Sequence, residues 1–305
     1  MKLLGLLPAA LALLGAPLLL GTVGKTKAAF AGRLGPPLLQ PYFDVFRLLR
    51  KGAVYSRTTS WLFRAAAPVA LSSVVAALLT LPFGPWDAAL GFTFDVVLFA
   101  YLLALSRFAT VLAALDTGSS FEGMGASREL LYGALVELVL FLALLVLVAS
   151  GGALSLSELI GGSGPSEARV DSLAATALLL VTLFVALLAE NARVPFDDPG
   201  THLELTMVHE VMILDHSGPD LALFQYAAAL KVWALAVLVV GVALPSGLRP
   251  WTAALLWGAG LLAVAMGVGV VESVTARLRL PRAPQVLVGS ALLAALALLL
   301  VELGP

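Results

Sequence analysis

Cysteine is absent from all 305 residues. The chain therefore holds no disulfide, no thiolate-bound zinc, no cysteine-ligated iron–sulfur cluster and no nickel–iron centre with cysteine ligands. Any associated redox chemistry is expected in another subunit or in a bound organic carrier. Charge is scarce as well: 12% of residues are Asp, Glu, Lys or Arg, where soluble domains carry about 25%. The 18 basic and 19 acidic side chains leave a net charge of −1, which argues against a nucleic-acid partner because such a partner calls for a basic patch. Hydrophobic residues make up 60% of the chain, and mean hydropathy is +1.01. A soluble fold this apolar cannot cover its own surface. Lipid is the alternative solvent, and about 20 apolar residues span its ~30 Å hydrocarbon core.

Eight apolar runs of that length stand at 3–23, 65–84, 88–110, 130–152, 172–190, 221–244, 250–271 and 284–303. They are continuous rather than alternating, which favours helices over a closed barrel. The expected fold is an all-α integral membrane bundle of about eight transmembrane helices, one multi-pass domain over 1–305. The first run is read as a span rather than a secretory signal. No small-residue cleavage pattern follows it, and Gly24-Lys25-Thr26-Lys27 reads as a membrane exit. Orientation comes from the basic residues. One side holds Lys25, Lys27, Arg33, Arg47, Arg50, Lys51, Arg57, Arg64, Arg107, Arg128, Arg193, Arg277, Arg279 and Arg282; the other holds Lys2, Arg169 and Arg249. Fourteen against three predicts both termini outside the cytoplasmic (inner) membrane and the long polar loops in the cytoplasm.

The first cytoplasmic loop contains LLQPYFDVFRLLRK at 38–51, with Phe43, Phe46 and Leu49 at helical spacing. This pattern predicts a short amphipathic helix in the membrane interface, with a solvated basic loop as the alternative. Arg47, Arg50 and Lys51 are its candidate docking residues for a soluble partner.

A charge inside a membrane costs roughly 2.5–3.5 kcal/mol on insertion scales, so each one invites a functional reading. Asp95, Glu137, Glu190 and Lys231 fall within apolar runs, and Glu129 and Glu272 at their boundaries. Glu129 and Glu137 share the fourth span and point about 80° apart around a helix. They are candidate steps on a proton path. The alternative is local satisfaction by Arg, Ser or water, which is the favoured reading for Asp95.

The fifth loop, AENARVPFDDPGTHLELTMVHEVMILDHSGPD at 189–220, gathers Glu190, Asp197, Asp198, Glu204, Glu210, Asp215 and Asp220 against the single Arg193. Glu190 and Arg193, at i and i+3, are expected to pair on one helix face. The remaining carboxylates, crowded among apolar neighbours such as Phe196, Met207 and Leu214, suggest a partly buried acidic funnel suited to reversible protonation. His202, His209 and His216 are spaced by seven, a helical rise of ~10.5 Å and too far to share a metal. HEVMILDH also departs from the HExxH zinc signature. Relay groups or structural histidines are the expectation. No catalytic triad, phosphate loop or metal-ligand motif is present, so no catalytic residue is assigned to this chain.

Three stretches carry a resemblance that covers essentially the whole chain: RLGPPLLQPYFDVFRLLRK at 33–51, ASREL at 126–130 with Glu137 after it, and AENARVPFDDP at 189–199. They are similar to a membrane protein shared by two kinds of complex. One is respiratory complex I, where it is the quinone-channel (H) component; the other is the energy-converting membrane-bound nickel–iron hydrogenases. Complex I members usually continue after Phe-Asp with Leu-Pro-Glu-Ala-Glu-Ser-Glu-Leu. Here Gly200 and His202 replace two of those glutamates, while Glu204 remains. The text THLELTMVHEVMILDHSG resembles the hydrogenase branch, formate hydrogenlyase subunit 4 and its relatives.

The resemblance implies an anchor and coupling subunit of a hydrogenase or formate hydrogenlyase-type complex. It implies as partners a nickel–iron large subunit, a small subunit, iron–sulfur subunits and antiporter-like membrane subunits. The nickel–iron centre and the clusters belong to those partners. Glu129, Glu137, Glu190, Arg193 and Asp197 carry over to proton transfer or coupling. Asp198, Glu204, Glu210, Asp215 and Lys231 join them as candidates from the charge pattern. The alternative is a quinone-channel subunit of a complex I-like oxidoreductase, though the missing glutamates count against quinone.

Overall fold

A computed structural model describes residues 3–161, 172–197, 207–245 and 247–303. The described residues form helices and loops, with a single isolated bridge between Phe83 and Trp86. After a short 3-10 turn the helices are α1 (Leu7–Phe30), α2 (Gln40–Leu49), α3 (Trp61–Leu79), α4 (Asp95–Asp116), α5 (Ser120–Gly151), α6 (Leu156–Ile160), α7 (Leu173–Glu190), α8 (His209–Met212), α9 (Gly218–Ala243), α10 (Pro250–Val274) and α11 (Arg282–Glu302). Eight of them, α1, α3, α4, α5, α7, α9, α10 and α11, are long and apolar enough to cross a membrane. The fold is an all-helical membrane bundle. Each predicted run corresponds to one helix.

Helix ends differ from the apolar runs wherever polar residues continue a helix or turns interrupt one. α1 carries on through Lys25 and Lys27 to Phe30, beyond the expected exit. α4 begins only at Asp95, because Pro82, Gly84 and Pro85 break the preceding stretch into turns. α5 begins ten residues before the apolar run and takes the Ser-Arg-Glu segment into the helix. Its 32 residues reach ~48 Å, well past the hydrocarbon thickness. The loop expected between the 88–110 and 130–152 runs therefore shrinks to a turn at 117–119. Asp116, the last residue of α4, ties that end to the start of α3: it accepts from the Ser60 backbone N–H at 2.6 Å and the Ser60 hydroxyl at 2.8 Å.

One orientation residue moves inside. The charge pattern groups Arg107 with the cytoplasmic loops, but it lies mid-way along α4 and is buried. Thirteen basic residues remain on that side, so the charge asymmetry persists.

The spans are apolar on every face, so position in the bundle is set by neighbours rather than by an amphipathic stripe. α9 is the centre post: 78% of its membrane-length stretch is buried, against 28% in α10 and 22% in α11. It touches α1, α2, α3, α6, α7 and α10. Asp95 serves the fold. It accepts from the Leu156 backbone N–H at 2.7 Å and the Ser155 hydroxyl at 3.0 Å, holding the start of α6 against α4. The local-satisfaction reading of this residue is the one the geometry bears out.

Candidate functional site

Arg107 is the hub of the buried charges. Its Nη1 donates to Glu137 Oε1 at 2.7 Å, its Nη2 donates to Glu190 Oε2, and its Nε stands 3.6 Å from Glu129 Oε1. Glu129 and Glu137 both come from α5, and across the ~80° between them they converge on one guanidinium. Space for this arrangement comes from Gly133, between the two glutamates on α5. A Cβ there would lie 2.5 Å from Arg107 Nη1 and 2.7 Å from its Cδ, so any side chain would displace the guanidinium. Lys231, at the middle of α9, approaches Glu190 from the other side, with Nζ 3.8 Å from Oε1 and 3.5 Å from the backbone carbonyl. Three carboxylates and two cations thus share one poorly hydrated volume. One carboxylate is in excess, so binding a single proton makes the group neutral.

Arg193 does not pair with Glu190. α7 ends at Glu190, the chain turns through Asn191 and Ala192, and the i, i+3 geometry is lost. Arg193 instead meets Glu272 of α10 at 3.4 Å, and Glu272 also takes Lys27 of α1 at 2.8 Å. Asp197, buried, pairs with Arg277 at 3.0 Å and accepts from the backbone N–H groups of Val208 and His209 at 3.0 Å each. It therefore pins α8 to the turn after α7. The acidic loop is not neutralised by one arginine: Arg107, Lys231 and Arg277 reach it from distant parts of the chain.

Other candidates lie further out. Glu210 is half-buried at the wall of a cavity. Asp215 is exposed, and its backbone N–H donates to the buried Glu122 at 3.3 Å. Asp198, Glu204 and His202 lie outside the described residues. Arg47, Arg50 and Lys51 stand at the end of α2, with the Arg50 guanidinium 4.2 Å above the Phe46 ring.

The two described histidines do not titrate near neutrality. Burial pushes His209 down to about 3, helped by the positive Lys231 and Arg193, and burial alone pushes His216 down to about 4. His216 is stacked on Phe63 at 3.8 Å with Phe224 at 4.7 Å. Both are neutral rings at pH 7, which removes them as charged relays there. Among the described residues, no three of His, Asp and Glu are grouped to hold a metal ion.

Three spaces border these groups. A cavity of about 440 Å³ lies between α1, α2, α9 and the acidic loop, bordered by Pro17, Val45, Arg193, Asp197, Glu210 and Phe224. A gap of about 10 Å³ follows among Asp197, Glu190, Glu129 and Arg107. Beyond Arg107, a groove of about 410 Å³ opens on the outer face of α4 and α5 beside Tyr101, Phe108, Leu130 and Glu137. Asp197 and Ala192 border both of the first two spaces, and Arg107 both of the last two. Glu137 is 38% exposed there, against 2% for Glu190.

Arg107, Arg277 and Lys27 are the site residues that sequence reasoning missed, counting them only toward orientation; Glu272 was noted as a boundary charge but without its partners. Arg107 had one usable signal. It interrupts LLALSRFATVL, an apolar stretch too long for an arginine placed in a loop.

The sequence profile described as NADH dehydrogenase matches residues 2–303. Hydrogenase-4 component C of Escherichia coli is 35% identical over 231 residues, covering 76% of this chain and 71% of that protein. Formate hydrogenlyase subunit 4 of the same organism is 30% identical over 280 residues, covering 89% of each. The H component of NADH-quinone oxidoreductase from Bordetella avium is more distant, at 28% over 225 residues, 70% of this chain and 61% of its own length. A chain in the structure of the membrane-bound sulfane sulfur reductase, an archaeal respiratory membrane complex, shares the fold. Its TM-score is 0.83 over 98% of both chains, at 22% identity.

Proposed function

The chain belongs to the NADH dehydrogenase family, and on that premise we propose that it anchors a soluble redox module in the membrane and couples that module's electron transfer to proton or ion movement. Its relatives are membrane subunits of hydrogenase-4, formate hydrogenlyase and complex I-like oxidoreductases. The partners proposed are hydrogenase-like large and small subunits with their nickel–iron centre, iron–sulfur subunits, and antiporter-like membrane subunits. The docking platform proposed for the soluble module is the 207–217 loop with the neighbouring 51–55 segment. Val54 and Ser217 hold these together, with the Val54 N–H donating to the Ser217 hydroxyl at 3.0 Å. Of the docking residues expected from the sequence, Lys51 lies within that platform, and Arg47 and Arg50 stand beside it at the end of α2.

The observation that carries the coupling role is the sharing of Arg107 by Glu129, Glu137 and Glu190 between the loop cavity and the lateral groove. A carboxylate excess there takes up a proton without leaving net charge in a region where net charge is expensive. Asp197 and Arg193 stand at the cavity end and Glu137 at the groove end. This geometry favours passage sideways, toward a neighbouring membrane subunit. In this reading the chain itself performs no bond-making step, and the reduction of protons or oxidation of hydrogen belongs to the soluble module.

The test uses the intact complex in sealed vesicles carrying Glu137→Gln or Glu190→Gln. Gln keeps the shape and accepts hydrogen bonds but does not titrate. Hydrogen-linked turnover and proton movement are measured per assembled complex. Assembly is expected to persist while proton movement per turnover falls. Wild-type coupling in both variants overturns the assignment and leaves an anchor.

A second reading, a quinone chamber, is favoured by the size of the cavity. At about 440 Å³ it lies in the range of small-molecule sites. A photoreactive quinone analogue that labels Leu214 or Phe224 supports it, and labelling confined to other subunits removes it.

A further inference from the structure

The path of the chain after α1 decides what α2 touches. Lys25 Nζ donates to the Leu34 carbonyl at 2.9 Å. Gly21 lies flush against Leu38, and a Cβ on it would stand 2.0 Å from the Leu38 carbonyl oxygen. The Tyr42 hydroxyl donates to the Leu14 carbonyl. The contact points on α1 therefore run backwards, from 25 to 21 to 14, while the contacting chain runs forwards. At 1.5 Å per residue, Leu14 lies about 16 Å below Lys25 along the helix. The first turn of α2 thus stands beside the apolar part of α1, inside the level at which Lys25 and Lys27 leave it.

The other end of α2 returns to the surface. Gly218, the first residue of α9, is so close that a Cβ would stand 2.6 Å from the Gly52 carbonyl oxygen. α2 therefore climbs out of the apolar layer.

Its side chains are graded to match. Leu39, Phe43, Phe46 and Leu49 are all exposed on the outer face, whereas Val45 and Asp44 face the loop cavity. Arg47, Arg50 and Lys51 are gathered at the surface end, with Arg50 folded over Phe46. Apolar below and cationic above is the profile of a bilayer leaflet, acyl chains first and phosphates next. A water-soluble partner offers nothing to the lower half of that stripe.

We propose that the outer face of α2 seats an anionic phospholipid of the cytoplasmic leaflet, with acyl chains along Leu39, Phe43 and Phe46 and the phosphate held by Arg47 and Arg50. This goes beyond the coupling role and stands independently of it. The same helix forms a wall of the loop cavity through Pro41, Asp44 and Val45, so the seated lipid stiffens that wall from behind. Anionic lipids are attracted by about 1 kcal/mol per basic residue near the surface, roughly fivefold each.

The test places a photo-crosslinker at the centre of the stripe, Phe46→p-benzoylphenylalanine, in the assembled complex in membranes of mixed phosphatidylethanolamine and phosphatidylglycerol. After irradiation, the adducts are identified by mass. Phospholipid adducts are expected, with phosphatidylglycerol enriched roughly fivefold or more over its bulk share. Adding Arg47→Gln and Arg50→Gln should return the adducts to the bulk ratio, and adding Arg47→Lys and Arg50→Lys should preserve the enrichment. Crosslinks to a soluble subunit overturn the proposal and extend the docking platform over α2. Lipid adducts at the bulk ratio without the arginine changes, or no adduct at all, overturn it equally. None of these outcomes depends on Glu137 or Glu190.

Discussion

Replacing Arg107 by Met is the sharpest perturbation this fold offers. The substitution keeps length and apolar volume but strips the cation from three carboxylates at once. Their exposures differ: the side chain of Glu190 is 2% exposed, that of Glu129 13% and that of Glu137 38%. Glu190 retains Lys231 at 3.8 Å. Glu129 keeps no other ion pair among the described residues and little water. Glu137 is discounted because solvent or a neighbour screens it. Breaking a buried pair by removing one partner costs about 3–5 kcal/mol. Nearly all of that cost should appear here, dominated by Glu129 and Glu190. At roughly 2–3 °C per kcal/mol, the melting midpoint of the assembled complex should fall by about 6–15 °C.

The control is Arg107→Met combined with Glu129→Gln and Glu137→Gln, which leaves Glu190 and Lys231 as a one-to-one pair. Most of the lost stability should return. Fluorescence-monitored size-exclusion after heating reads both variants against the parent. A single variant melting within about 2 °C of the parent, or a triple variant no better than the single, refutes the shared-cation account.

Two further outcomes are expected. His216 has its folded pKa depressed to about 4, so the unfolded chain takes up a proton near pH 6.5 that the folded chain refuses. Its contribution to stability is intact above pH 6.5 and is lost as pH falls toward 4, by up to ~1.4 kcal/mol per pH unit. His216→Phe, which keeps the ring between Phe63 and Phe224, should flatten that slope in melting curves between pH 7 and 5; an unchanged slope contradicts the assignment. For topology, single cysteines at Ser119 and Ser217 should label only from the cytoplasmic face, because thirteen basic residues lie on that side. Labelling of Ser217 from outside reverses the orientation.

The spans were legible because lipid imposes one simple demand, a long apolar run, and each run stands apart in the sequence. The amphipathic helix α2 was legible for a similar reason: Phe43, Phe46 and Leu49 repeat at helical spacing within ten residues. What the sequence concealed is partnership. Arg107 lies 30 residues from Glu137 and 83 from Glu190, and no local rule joins them. The orientation count even draws Arg107 the wrong way, grouping it with the loops although it falls inside the 88–110 run. The expected Glu190–Arg193 pair fails for the opposite reason. Proximity in sequence implies proximity on one face only while the helix continues, and the helix stops at Glu190. Lys27, Arg193 and Glu272 meet only because α1, the acidic turn and α10 converge, and that is a property of packing rather than of any one segment.

One guanidinium divided among three carboxylates has a consequence for how single substitutions at this site are to be interpreted. Side chains that share one partner are not independent, and replacing one of them rearranges the hold on the others. Changing Glu129 alters the hold of Arg107 on Glu137, and changing Glu137 alters its hold on Glu190. A change of function on replacing one glutamate therefore reports on the shared guanidinium as well as on the carboxylate removed, and the double variant is read beside each single one. The unit to be perturbed is the five-residue ensemble of Arg107, Glu129, Glu137, Glu190 and Lys231.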